Sequence, residues 1–139
     1  MQQANVLYRA TAIAGGGHPG EVRSGDTMVH APLAVPTELG GSGGKGTNPE
    51  QLLAAAYAAC FYSALEQAAS ERRVALPQDL SVECSVKLGR RADGFALDVQ
   101  VQVQGAPEPS LVARAEQLWP HGPGVAPQVR VAAAAGTTA

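Results

Sequence analysis

Hydrophobic and polar positions change period several times along this chain, and each change predicts an element. Residues 4–14 mix Val6, Tyr8 and Ile13 with polar positions, as a first strand would. Gly15-Gly16-Gly17-His18-Pro19-Gly20 is a turn signal, and short strand-like pieces follow near 21–24 and 28–34. The run Gly40-Gly41-Ser42-Gly43-Gly44-Lys45-Gly46 reads as a flexible loop ending at Thr47-Asn48-Pro49-Glu50. That tetrapeptide is a helix start. Asn48 can cap, Pro49 suits the first helical position, and Glu50 favours the positive end of the helix dipole. The helix is expected to reach about Arg73, and residues 51–65 are apolar on nearly every face, which predicts burial.

Beyond Pro77 the period becomes two. Val82, Cys84, Val86 and Leu88 alternate with Ser81, Glu83, Ser85 and Lys87. Asp93-Gly94 marks a turn, and Phe95, Leu97, Val99, Val101 and Val103 alternate with polar or small residues, so the two runs predict a hairpin. A short helix is expected from Pro107 to Leu118, with Ser110 as one cap candidate. A loop follows over Pro120 to Pro127, then a last strand around Val129 and Val131. The order β-β-β-α-β-β-α-β predicts an α+β fold.

Length and composition narrow the function classes. The 139 residues fit a single domain spanning 1–139. Aromatics are only 4% of the chain and alanine is abundant, so a lone protomer buries little area per residue. Burial in an oligomer is one remedy. The net charge of −2 has no basic block, which argues against a nucleic-acid partner. The longest uninterrupted apolar run, Leu52 to Tyr62, is shorter than the ~20 residues that span a bilayer. No signal peptide is visible at the N-terminus, so Cys60 and Cys84 are expected as reduced thiols in a cytoplasmic protein.

Cys60 is the candidate for chemistry. On residue type alone it suits a small apolar core filler, because free cysteine is among the most buried residues. A reactive thiolate would need a nearby cation and an access path, and a mid-helix position gives little dipole help. His30 and His121 have no metal-ligand spacing with either cysteine. Lys45-Gly46 breaks the phosphate-loop pattern, and Ser63 has no nucleophile-elbow context.

The stretch from Glu38-Leu39-Gly40-Gly41 through Thr47-Asn48-Pro49-Glu50-Gln51-Leu52, continued by Ala54-Ala55-Ala56-Tyr57-Ala58-Ala59-Cys60-Phe61, resembles the organic hydroperoxide resistance (Ohr) branch of the OsmC/Ohr thiol-peroxidase family. The Pro-Glu-Gln step favours Ohr over OsmC proper. Gly94-Phe95 and Ala115-Glu116-Gln117-Leu118 fall where that family would have them. The resemblance implies an intertwined homodimer with curved sheets on a buried central helix. It also implies reduction of organic or fatty-acid hydroperoxides through a cysteine sulfenic acid. A second cysteine then resolves it, and a dithiol such as a lipoyl protein regenerates the enzyme. No metal or prosthetic group is implied.

By that resemblance the catalytic set is Cys60, Glu50 and His18, with His18 standing where the family has arginine. Histidine is only partly cationic at neutral pH, with an unperturbed pKa of ~6.5. Arg23 is the next cation. Ten residues of straight helix separate Glu50 from Cys60 by ~15 Å. The helix therefore breaks, or a cation bridges, or Glu50 serves a partner's site. Trp119, before Pro120, stands where the family has its resolving cysteine, and tryptophan cannot form a disulfide. Cys84 is the remaining thiol, usable only if the pair meets a Cα spacing of about 4.4–6.8 Å. Leu52, Leu53, Tyr57, Phe61 and Trp119 are the expected lining of an apolar pocket. The expected function is therefore a one-cysteine organic hydroperoxide reductase using an external thiol. The rivals are a non-enzymatic binding protein with an inert Cys60, and a different thiol enzyme that carries a non-peroxide adduct.

Overall fold

The computed structural model describes residues 5–17, 20–105, 107–119 and 128–131. The chain forms two compact units, Met1–Pro49 and Glu50–Ala139.

The first unit carries a three-stranded antiparallel sheet in the order β1 (Ala12–Gly15), β2 (Glu21–Ser24) and β3 (His30–Pro32). β1 is shorter than its sequence pattern predicts, and residues 5–11 have no regular structure. No described residue of 5–49 is buried, and Val6, Leu7, Tyr8 and Ile13 are all more than half exposed. The glycine-rich run is not a loose loop. Gly41 and Gly43 donate backbone hydrogen bonds to the carbonyls of Pro36 (3.0 Å) and Val35 (3.2 Å). Thr47 and Ala34 close the segment by bonds to Pro32 and Thr47, each at 2.8 Å. Gly41 is required by close approach, since a Cβ there would meet the Val35 carbonyl oxygen at 2.1 Å.

The second unit is built on α1 (Pro49–Arg72), which is continuous over its 24 residues. Its C-terminus closes as a Schellman motif. The Val74 amide reaches the Ala69 carbonyl and the Arg73 amide reaches that of Ser70, both at 3.1 Å. Arg73 holds the left-handed position, φ +56°, that glycine usually fills.

The predicted hairpin is present as β4 (Ser81–Arg91) and β5 (Gly94–Gln104), paired in register from Ser81↔Gln104 to Arg91↔Gly94. After β5 the chain crosses through α2 (Pro109–Leu118) to β6 (Gln128–Val131), which lies parallel to β5. Glu108 occupies the N-cap of α2 rather than Ser110. Pro109 explains the difference, because proline favours the first helical position and so puts Ser110 inside the helix.

The core lies between one side of α1, the hairpin and α2. Phe61, Leu65, Val101 and Val103 are its fully buried large side chains. Tyr57, Ala64, Leu80, Val99, Val112, Ala115 and Trp119 join them in the core cluster. Within the second unit one side of α1 is packed, and Ala55, Ala56, Ala59, Tyr62 and Ser63 are exposed among its described residues. No helix among the described residues is long and apolar enough to cross a membrane.

Candidate active site

Cys60 lies mid-way along α1, half buried and with a free thiol. It lines a cleft of about 390 Å³ with Ala59, Ser63, Ala64, Gln67 and Leu118. The thiol therefore packs against the core on one side and meets an open space on the other. That is the access path a reactive cysteine needs.

None of Leu52, Leu53, Tyr57, Phe61 and Trp119, the expected apolar lining, borders this cleft. Tyr57, Phe61 and Trp119 belong to the core and do not line this cleft. Trp119 ends α2 and meets Tyr57 and Phe61 edge-on, with ring centroids 5.5 and 5.1 Å apart. Edge-to-face contacts of this kind add to apolar burial. The residue standing at the family's resolving position is thus a packing residue that fixes the end of α2 against α1. Gln67 is a wall residue absent from the sequence expectations, and Ser63 entered them only as a rejected nucleophile. Their signal was spacing, since they follow Cys60 by three and seven residues and so share its helix face.

Glu50 sits in the first turn of α1, half buried, where a carboxylate suits the dipole. Because α1 does not break, Glu50 and Cys60 stay ~15 Å apart along the axis and do not touch within one helix. The broken-helix alternative is thereby removed. Arg23 lies on β2 in the first unit, opposite Ile13 and His30 in register. It lines a small cavity of about 130 Å³ with Ile13, Gly15, Gly16 and Glu21. Glu21 is engaged by His30, Nε2 to Oε2 at 2.5 Å. His18 lies outside the described residues.

Cys84 lies on β4 opposite Val101, half buried and packed against the core. Burial pushes its thiol pKa up, which disfavours the thiolate. Its environment is that of a core filler.

One polar cluster joins α1 to α2. Arg114 donates from Nε and Nη2 to the two oxygens of Glu71, at 2.8 and 3.0 Å, and from Nη1 to Gln117 Oε1 at 3.2 Å. Arg72 Nη1 donates to Ser110 Oγ at 2.5 Å. The Arg114 hydrogen bonds hold the Glu71 carboxyl below its ordinary pKa.

Comparison with known proteins agrees with this architecture. Residues 41–131 match the family model described as OsmC-like protein. The organic hydroperoxide resistance protein of Xanthomonas axonopodis pv. citri is 42% identical over 121 residues, covering 84% of this chain and 85% of that protein. OhrA of Bacillus subtilis is 38% identical over 122 residues, covering 87% and 85%. Among solved structures, an organic hydroperoxide resistance protein of Legionella pneumophila superposes with a TM-score of 0.81 at 37% identity, covering 93% of this chain and all of that one. The chain belongs to the OsmC-like family, on its organic hydroperoxide resistance branch.

Proposed function

We propose that this protein is a cysteine-based reductase of organic hydroperoxides with Cys60 as the peroxidatic thiol. The observation that carries the reading is the half-buried Cys60 thiol on the wall of an otherwise largely apolar cleft. Relatives named for organic hydroperoxide resistance support the substrate class.

In the first step the Cys60 thiolate attacks the terminal oxygen of the hydroperoxide. An S–O bond forms and the O–O bond breaks. Sulfur is oxidised to a sulfenic acid, and the alkoxide leaves and is protonated to the alcohol. His18 or Arg23 supplies the cation that favours the thiolate. Glu50 acts through such a cation or at the site of a partner subunit, since its own helix holds it away from Cys60.

With Trp119 in the core and the Cys84 thiol disfavoured as a nucleophile, an external thiol resolves the sulfenic acid. The first thiol forms a mixed disulfide with Cys60 and water leaves. A second thiol, most simply the other arm of a dithiol such as a lipoyl protein, releases reduced Cys60. This cycle suits the cytoplasm, where thiols are kept reduced.

The working form is a homodimer. The exposed side of α1 carries Ala55, Ala56, Ala59 and Tyr62, and Phe95 and Leu97 continue the apolar face of the hairpin uncovered. Surface of this kind on a small domain marks an interface.

Steady-state consumption of cumene hydroperoxide with a dithiol reductant tests the cycle. Wild type and Cys84→Ser are expected to turn over alike, and Cys60→Ser to be silent. A Cys84→Ser variant that reacts once and stops would contradict the one-cysteine cycle. A wild type that consumes no peroxide would favour the binding-protein reading.

A further inference from the structure

The cleft beside Cys60 holds two polar side chains that the steps above leave unused. Ser63 and Gln67 lie one and two turns beyond Cys60 on the same stripe of α1. The other lining residues, Ala59, Ala64 and Leu118, are apolar, and no charged side chain lines the cleft among the described residues. Two polar groups in such a wall set the orientation of whatever binds there.

Gln67 lies one turn before Glu71 on α1, and an ionised carboxylate only accepts, so the amide N–H is the end that suits Glu71. Glu71 is in turn fixed by the two-pronged contact with Arg114. The amide oxygen of Gln67 is the end left to serve the cleft as an acceptor. Ser63 adds a hydroxyl that can donate. A hydroperoxide is complementary to this pair, having one O–H donor and an ether-like oxygen that accepts.

We propose that Ser63 and Gln67 orient the hydroperoxide group for attack by Cys60, an inference that rests on the peroxidase reading above. The Gln67 oxygen accepts the peroxide O–H and so holds the terminal oxygen for Sγ. The Ser63 hydroxyl donates to the carbon-bound oxygen, where negative charge develops as the O–O bond breaks. The electron pair from sulfur forms the S–O bond, and the proton of the terminal oxygen stays on the sulfenic acid. The departing alkoxide takes its proton from water. A donor aimed at developing charge favours the transition state over the ground state.

The test is stopped-flow oxidation of Cys60 by cumene hydroperoxide in wild type, Ser63→Ala, Ser63→Thr and Gln67→Met. Iodoacetamide alkylation of Cys60 at the same pH reports thiolate reactivity alone. Ser63 is exposed and alanine is the best helix former, so Ser63→Ala keeps the fold. Ser63→Ala and Gln67→Met are each expected to slow peroxide oxidation roughly tenfold or more, the scale of a hydrogen bond to a charged centre. Alkylation is expected to stay within about twofold, and Ser63→Thr to recover most of the oxidation rate. Variants that oxidise as fast as wild type, or lose alkylation in equal measure, would overturn the inference while leaving the peroxidase reading intact. A wild type with no reactivity toward peroxide would overturn both.

Discussion

Cys60 and its neighbours on α1 show how much depends on which way single side chains face. Phe61, one residue away, is fully buried and meets Trp119 edge-on, whereas Ser63 opens onto the cleft. Phe61→Ala is expected to cost ~3–5 kcal/mol, read by urea denaturation, because the void lies between α1, α2 and the hairpin. The sequence placed Cys60 on a helix, and that stands. It did not separate core-facing Tyr57 and Phe61 from cleft-facing Ser63 and Gln67. The reason is physical: residues 51–65 are apolar on nearly every side, so no amphipathic stripe tells one face from another.

At the scale of elements, α1 is held at its end by two devices that sequence patterns barely announce. The first is the Schellman closure, with Arg73 in a left-handed conformation. A side chain there costs roughly 1 kcal/mol, so Arg73→Gly is expected to stabilise the protein by about that amount in denaturant melts. The second is the Glu71–Arg114 clamp between α1 and α2. The folded-state pKa of Glu71 is lowered, so its stabilising contribution is present above the ordinary carboxylate range. It is lost as pH falls through the lowered value. Glu71→Gln is therefore expected to melt below wild type at neutral pH and to converge with it in acid, as thermal melts between pH 7 and pH 3 would record. The hairpin was legible because strict alternation fixes which side chains share a face. The ordered Gly40–Gly46 segment was not. Its order comes from backbone hydrogen bonds to Val35 and Pro36, which leave no mark on side-chain pattern.

For the whole molecule, the first unit has a sheet and no buried residue among those described, and α1 has an apolar side uncovered. Both features fit a chain that completes its burial in a pair. Light scattering on the purified protein is expected to give twice the chain mass at micromolar concentration. The sequence pointed to this through its alanine content and its resemblance to Ohr proteins, but uncovered surface is not written in any local pattern. The family assignment rests on matches that span most of the chain, and the proposed chemistry rests on one thiol. The most direct measurement is single-turnover reaction of the fully reduced protein with cumene hydroperoxide, trapping sulfenic acid and locating it by mass spectrometry. Rapid loss of peroxide with sulfenic acid on Cys60, absent in Cys60→Ser, is the predicted result. Oxidation no faster than that of a free thiol would contradict the account.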